Sequence, residues 1–253
     1  MTYSIIGRCA RTGAFGGAVT TSDLAVGSRC LRLAHGKGAF LSQHRTDSRL
    51  GDLGISLLAD GQTADDTVAR VSSSSDDIEW RQLGALDARG HAAVYHGRRM
   101  YSIYTHSIDT DCLAIGNILD NDRVTDAMAA AFVGAATAPL GERLMLALEA
   151  GRDAGGEVRD AMKSAALRVT GEHGIDAMDL RVDISDGRAI EDLRTLYTAY
   201  GDRSRMLRQV ALEPDALPVM RALFEASIDR IAELGLEARF PTARQRANWT
   251  LRD

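Results

Sequence analysis

Apolar residues in the first part of the chain occur in short runs separated by glycine-containing turns, a pattern typical of antiparallel β-structure. The runs Thr2–Cys9 and Phe15–Thr21 flank the turn Arg11-Thr12-Gly13, so they predict a hairpin whose first strand begins at residue 2. The same pattern predicts later strands at residues 39–43, 81–87, 92–95, 101–106, 113–118, 164–169 and 178–184.

Helical spacing of apolar residues separates these groups of strands. Two short helices joined at Asp60-Gly61 are predicted between residues 50 and 71, with Thr63 and Asp66 forming a capping box for the second. Further helices are predicted at residues 123–133, 139–151, 191–200 and 219–234. This alternation of strands and helices predicts an α+β fold, in which antiparallel sheets carry helices on their faces.

Composition and charge narrow the class of protein. The chain has 253 residues, 45% of them hydrophobic, and a formal net charge of −5, which argues against unspecific nucleic-acid binding. No apolar run approaches the ~18 residues of a membrane helix, and no secretory signal precedes the first strand. Three scattered cysteines form neither a disulfide framework nor a C-x-x-C pair. We therefore expect a cytoplasmic protein without a membrane or nucleic-acid partner.

The composition changes near residue 200. After Gly201 the chain becomes basic, and a helix with apolar positions from Val219 to Leu234 precedes a tail that contains Trp249. We therefore expect one domain over residues 1–200 and a helical extension over 201–253, packed on that domain or on a neighbouring subunit. The apolar positions of the extension need a covering surface, which favours a homo-oligomer.

Motifs for cofactors and metals are missing from the sequence. The six histidines show no H-x-x-x-H spacing, and there is neither a P-loop nor a Gly-x-Ser-x-Gly motif. The glycines at 13, 16 and 17 lack the rest of a dinucleotide fingerprint and indicate a hairpin turn instead. We expect no metal and no organic cofactor. His106 and Asn117 lie at strand ends, where polar side chains make turns or line sites.

Thr2 is the residue with the most distinctive chemistry. Removal of Met1 would leave its hydroxyl beside its own α-amine, which titrates near ~7.7–8.0 in peptides and can act as a general base. A threonine paired with its N-terminal amine is a known activated nucleophile. If Met1 stays attached, the amine is part of a peptide bond and Thr2 is only a strand residue. The residues alone leave both interpretations open.

An ordered series of short segments resembles the bacterial domain-of-unknown-function family DUF1028, which is assigned to the N-terminal-nucleophile (Ntn) hydrolase-like superfamily. The resemblance covers roughly residues 2 to 200 and does not extend to the helical tail. The segments that carry it are Thr2–Arg8, Thr12-Gly13, Gly16–Val19, Leu24–Gly27, Ser42-Gln43, Thr46, Gly54–Gly61, Arg81–Gly84, Asp87–Gly90, His106, Gly116-Asn117, Glu142–Leu144, Ala147–Gly151, Ser164–Ala166 and Asp179–Asp183.

This resemblance implies a four-layer αββα sandwich of antiparallel sheets in which Thr2 is the nucleophile at the start of a central strand. With that fold we expect hydrolysis of a C–N bond, other than a peptide bond, in a small anionic metabolite. Further site roles are then expected for six residues: Asn117 as an oxyanion donor, His106 and Gln43 in tuning the amine or positioning substrate, and Arg8, Arg29 and Thr46 in binding substrate.

The sequence departs from the family pattern at Thr20–Asp23, at Arg45–Ser48 and at Ala161–Lys163, so the substrate does not follow from the resemblance. Two alternatives stay open. The chain could be a catalytically silent protein that binds a small ligand or assists assembly on the same fold. It could also be a hydrolase that uses Cys9 or Ser22, with His106, as its nucleophile.

Overall fold

A computed structural model describes residues 2–158, 161–240 and 251–252. The strands are β1 (Thr2–Arg8), β2 (Phe15–Thr21), β3 (Leu31–Ala34), β4 (Gly38–Gln43), β5 (Gln82–Asp87), β6 (Ala92–His96), β7 (Tyr104–Asp109), β8 (Cys112–Asn117), β9 (Ser164–Val169), β10 (Met178–Val182), β11 (Val219–Met220) and β12 (Leu251–Arg252). The α-helices are α1 (Ser48–Ala59), α2 (Ala64–Ser72), α3 (Val124–Gly134), α4 (Leu140–Asp153), α5 (Ala189–Leu212) and α6 (Arg221–Glu233).

Two antiparallel sheets account for β1 to β10. The larger has the order β10-β9-β2-β1-β8-β7, and the smaller has the order β3-β4-β5-β6. The strand β1 therefore lies inside the larger sheet, between β2 and β8. Thr2 pairs with Asn117 of β8, and Tyr3 pairs with Thr20 of β2. The mixed α+β class and the antiparallel pairing predicted from the sequence are confirmed.

Side chains alternate across β1, and the two faces enter different cores. Tyr3 and Ile5 belong to an apolar cluster with Phe132 of α3 and Leu144 of α4. Ile6 belongs to a second cluster that contains residues of the smaller sheet. The even positions of β1, Thr2 and Ser4 among them, therefore face the smaller sheet.

A third apolar cluster lies on the outer face of the smaller sheet. It brings Phe40 of β4 and Leu83 of β5 together with Leu58 of α1 and Val71 of α2. The helices α1 and α2 lie where the sequence predicts two short helices. The side chain of Thr63 accepts a hydrogen bond from the backbone N–H of Asp66. This confirms the N-cap half of the predicted capping box; the Asp66 carboxylate accepts from the Thr63 hydroxyl at 2.7 Å instead of from the Thr63 backbone N–H.

Several elements differ from the sequence-based prediction, among them β3, β7 and α5. The strand β3 was missed, because four residues offer too short a pattern. The strand at 101–106 is observed at Tyr104–Asp109, an edge strand whose mixed polarity fixes its limits poorly. The helix predicted at 191–200 continues to Leu212, because Gly201 costs an exposed helix only about 1 kcal/mol and the next proline is Pro214.

The chain divides into two compact units, residues 1–200 and 201–253. In the second unit β11 pairs with β12 in parallel, and α6 follows β11 directly. Trp249 lies outside the described residues. Within the described part of the chain, none of the helices combines the length and hydropathy that a membrane-crossing segment needs.

Candidate active site

A cleft with a volume of about 590 Å³ lies where β1 begins, β2 and β4 end and β5 begins. Because neighbouring strands run in opposite directions, the beginning of β1 lies beside the end of β2, and the beginning of β5 lies beside the end of β4. The residues lining the cleft come from these ends and from the segments next to them: Thr2, Thr21, Asp23, Arg29, His44, Arg45, Thr46, Asp77, Trp80 and Arg81.

Thr2 lines this cleft. Its residue surface is only 6% exposed, and its hydroxyl donates a hydrogen bond to the Thr21 hydroxyl at 3.4 Å. Its strand is the third from one edge and the fourth from the other in a six-stranded sheet, so β1 is held on both sides. A reactive group on such a strand is positioned by rigid backbone rather than by a loop.

Basic side chains dominate the charge of the cleft. Arg29, Arg45 and Arg81 line it, against the acids Asp23 and Asp77. Arg29 forms an ion pair with Asp23 at 3.3 Å, in which both side chains are substantially exposed to solvent. Such exposed pairs contribute about 0–1 kcal/mol, so the pair leaves the cleft open to competing anions.

The segment after β4 has an unusual backbone. His44 and Arg45 have φ values of 57° and 49°, in the left-handed region that residues other than glycine rarely adopt. Consecutive residues in this region cost of order 1–3 kcal/mol each, and such conformations cluster at functional sites. The turn places both side chains against the cleft.

His44 links this turn to the segment before β5. Its Nδ1 lies 2.6 Å from the Trp80 carbonyl oxygen, which only accepts, so Nδ1 carries the proton. The residue is buried, and this desolvation lowers the pKa of the imidazole below its usual value. His44 is therefore neutral at pH 7 and keeps Nε2 as a hydrogen-bond acceptor.

Behind Thr2 a chain of buried amide side chains joins the two sheets. The Ser4 hydroxyl donates to Gln43 Oε1 at 2.6 Å, and Gln43 Nε2 donates to Gln82 Oε1 at 2.6 Å. Asn117 Nδ2 donates to the same oxygen of Gln82 at 2.9 Å. All four residues are buried, so the network has a low-dielectric surrounding that strengthens each hydrogen bond.

A backbone carbonyl sets the direction of this network. Gln82 Nε2 donates to the Gly116 carbonyl at 2.8 Å, and a carbonyl oxygen cannot donate. The side-chain oxygen of Gln82 must then face Gln43 and Asn117, which both donate to it. Asn117 therefore donates one of its two Nδ2 hydrogens to Gln82. Its buried Oδ1 has no hydrogen-bond partner among the described residues.

The histidine predicted for the site lies at the outer end of this network. His106 is exposed on β7, and its Nδ1 is 2.9 Å from His96 Nε2. His96 Nδ1 accepts from Gln82 Nε2 at 3.1 Å. Burial, with a smaller contribution from His106, lowers the pKa of His96 to about 4. His106 does not line the cleft, and its hydrogen bond to His96 links it to Gln82 of the amide network.

The other predicted residues are divided between the cleft and distant places. Arg29 and Thr46 line the cleft, and Gln43 lies in the amide network. Arg8 is at the opposite end of β1, where its Nη1 binds Asp111 at 2.7 Å. The structure does not bring Arg8 to Thr2.

The alternative nucleophiles also lie apart from His106. Cys9 follows the far end of β1, whereas His106 stands in register with Ile115 and, through it, with Ser4. Ser22 is buried beside the end of β2, and its backbone N–H donates to Glu157 Oε2 at 3.3 Å. In the described part of the chain, neither residue forms a hydrogen bond with His106.

Sequence reasoning missed most of the cleft lining: Thr21, Asp23, His44, Arg45, Asp77, Trp80 and Arg81. The signal that could have indicated most of them is their position next to strand ends. Polar and aromatic residues directly follow the strand ending at Gln43 and precede the strand beginning at Gln82. Within the described ranges no group of three or more His, Cys, Asp or Glu side chains is arranged to hold a metal ion.

Comparison with known proteins shows the family of this chain. A solved structure of protein SPO2555 from Silicibacter pomeroyi, a DUF1028 protein, is 33% identical, with a TM-score of 0.73 over 78% of this chain and 85% of that one. Anbu, the ancestral β-subunit from Yersinia bercovieri, is 13% identical over 81% of this chain and 97% of its own, and its TM-score of 0.38 is too low to infer a shared fold. No curated protein matches significantly. A model of the family of unknown function DUF1028 matches residues 2–193, and the chain belongs to that family.

Proposed function

We propose that this chain is an Ntn-type hydrolase that cleaves a C–N bond, of amide type, in a small anionic molecule. The proposed architecture is a four-layer αββα sandwich. It is supported by the cluster joining α1 and α2 to the smaller sheet, the cluster joining α3 and α4 to the larger one, and the cluster shared by the two sheets.

The observation that carries the proposal is the position of Thr2. It is the first residue of an inner strand, and its side chain lines a cleft whose basic residues outnumber its acidic ones. A nucleophile there has its own α-amine as the nearest base once Met1 is removed. A cationic cleft raises the local concentration of anionic substrates.

The chemical steps follow from these groups. Thr2 Oγ1 attacks the substrate carbonyl carbon while the α-amine takes the hydroxyl proton. The C–N bond breaks as that proton passes to the leaving nitrogen, which leaves an acyl ester on Thr2. A water molecule then attacks the ester with the same amine as base, releasing the carboxylic acid and restoring the hydroxyl.

Asn117 has one hydrogen-bond donor and one acceptor that the described residues do not use. The second hydrogen on Nδ2 is the proposed donor to the oxyanion, where one such donor is worth ~10²–10³ in rate. Its unpaired Oδ1 is the proposed acceptor for an N–H of the Thr2 amine. Gln82, held by Gly116 and Gln43, keeps this amide in one orientation.

The test compares Thr2→Ala and Thr2→Ser in the full chain against short carboxylate-bearing amides, with release of ammonia or amine as the readout. Thr2→Ala is expected to lose about 10³-fold or more in kcat/KM, and Thr2→Ser to keep part of the activity. Cys9→Ala and Ser22→Ala serve as controls that keep it. Full activity in Thr2→Ala with loss in either control would contradict the proposal and favour a hydrolase that uses Cys9 or Ser22 as its nucleophile.

A second candidate function rests on the same cleft. Its basic side chains bind an anion whether or not Thr2 is processed, as a catalytically silent ligand-binding or assembly protein would. A ligand that binds only the native state raises the melting temperature. A carboxylate-bearing amide that raises Tm and is recovered intact after long incubation would favour this function over hydrolysis.

A further inference from the structure

The three arginines of the cleft differ in what they already bind. Arg29 has Asp23 as its partner. For Arg45 and Arg81 the described residues provide neither an ion pair nor a side-chain hydrogen bond. The acid nearest to Arg45 in sequence, Asp47, is bound by Arg49, whose Nη2 lies 2.8 Å from Asp47 Oδ2. The acid nearest to Arg81, Glu79, is bound by Arg98, whose Nη2 lies 3.0 Å from Glu79 Oε1.

Arg81 carries the strongest sign of a missing partner. Its Nε is buried and has no acceptor among the described residues. A buried donor without an acceptor costs about 1–3 kcal/mol, and more when the group is charged, so native proteins rarely leave one unused. Arg81 lines the cleft, so an anion bound there could accept from this guanidinium.

Arg45 is held over an aromatic ring. Its Cζ lies 4.1 Å from the centroid of Trp80, and the left-handed turn at residues 44–45 brings it there. Stacking against a ring restricts a guanidinium while its N–H groups remain available at the edge. The hydrogen bond from His44 Nδ1 to the Trp80 carbonyl ties this turn to the segment that carries Arg81.

We infer that Arg45, which stacks on the Trp80 ring, and Arg81, the residue after Trp80, form the anion subsite of the cleft and bind a substrate carboxylate. Planar guanidinium groups match a carboxylate in shape as well as charge. Together with the proposed role of Thr2, on which this step rests, the subsite assigns the substrate class as short monoamides of dicarboxylic acids. The carboxylate would bind at the arginines while the amide carbon faces Thr2.

Binding is measured separately from turnover by isothermal titration of the full-length Thr2→Ala protein. The probes are malonamate, succinamate and glutaramate, the corresponding neutral diamides, and inorganic phosphate. At least one monoamide is expected to bind, and Arg81→Ala and Arg45→Ala are each expected to weaken it about tenfold or more. Arg81→Lys, which keeps the charge without the planar fork, is expected to recover part of that loss.

Arg99 supplies the matched control. Its Cζ lies 5.5 Å from the centroid of the same Trp80 ring, but it is not part of the cleft lining, so Arg99→Ala is expected to bind the monoamide as the parent does. Melting temperatures of all variants are measured alongside as the check that they fold. Arg45 is exposed, so its substitution leaves the core untouched.

Three results would overturn the subsite: no monoamide binding at about 10 mM, equal binding of neutral diamides, or unchanged affinity in both arginine variants. Phosphate binding more tightly than every monoamide would replace the carboxylate with a phosphate group. Loss of binding in the arginine variants together with full activity in the Thr2→Ala protein would leave the subsite standing and remove Thr2 as nucleophile.

Discussion

Gln82 controls the hydrogen bonds behind the candidate nucleophile. Replacing it with leucine removes the oxygen that accepts from Gln43 and Asn117 and the amide nitrogen that donates to Gly116 and His96. The groups left buried without partners are expected to lower the free energy of unfolding by about 3 kcal/mol or more. Denaturant unfolding measures this loss. Gln62→Leu, at a turn, is the control and is expected to change it by less than about 0.5 kcal/mol.

His96 predicts how stability depends on pH. Its pKa is lowered from 6.5 to about 4, so the unfolded chain binds its proton more readily than the native chain. The stability contributed by neutral His96 is complete above pH 6.5 and is lost as the pH falls towards 4. Unfolding free energies measured across this range should decline, and His96→Gln should flatten the decline. An unchanged slope in that variant would contradict the shift.

Thr2 could be predicted as a site residue from the sequence, whereas most of the residues around it could not. Thr2 stood out because an N-terminal threonine has its own chemistry and because of the family resemblance. Arg45 and Arg81 are ordinary arginines in a chain that has 30 lysines and arginines, and only the fold brings them together with Thr2. Arg8 carries the same charge and lies at the other end of β1.

At the scale of elements, the contact of α1 with β4 depends on a glycine. A Cβ at Gly54 would collide with the Phe40 ring, whereas Gly134, at the end of α3, has open space around it. Gly54→Ala is therefore expected to destabilise the protein by about 1–3 kcal/mol despite alanine's higher helix propensity. Gly134→Ala should leave stability unchanged or raise it slightly. Thermal unfolding of both variants tests this, and equal effects would count against close packing here.

Most elements could be predicted from local patterns, since β2 matches the predicted limits at both ends and both helices of the 50–71 region are present. The prediction from local patterns was wrong where tertiary contacts determine the secondary structure. The short β3 forms because β4 pairs with it, through Leu31 and Leu41 among others. The length of α5 reflects the absence of a strong helix breaker before Pro214, which outweighs the single glycine at 201.

For the whole molecule, the homo-oligomer expected from the sequence stays a prediction. Leu223 and Leu234, at 63% and 52% exposure, are large apolar side chains that solvent reaches in the second unit. If another copy covers them, Leu223→Glu with Leu234→Glu should reduce the mass measured by light scattering to that of a smaller assembly. Leu53→Glu, on α1, is the control. A chain that is monomeric without any substitution would contradict the prediction.

The sequence reached the class of fold, and the family resemblance supplied the expected layers. Local residue patterns do not show which strand ends lie next to one another, so the position of the cleft could not be predicted from the sequence. The cleft forms where ends of β1, β2, β4 and β5 lie close together.

The central claim is that Thr2 acts with its own α-amine, and the intact mass of the untagged full-length protein tests it most directly. The account predicts a mass lower than that of the encoded chain by one methionine residue, which places a free amine on Thr2. A mass that includes Met1 in the whole population would contradict the account, because the amine would then lie in a peptide bond and Thr2 would have no base of its own.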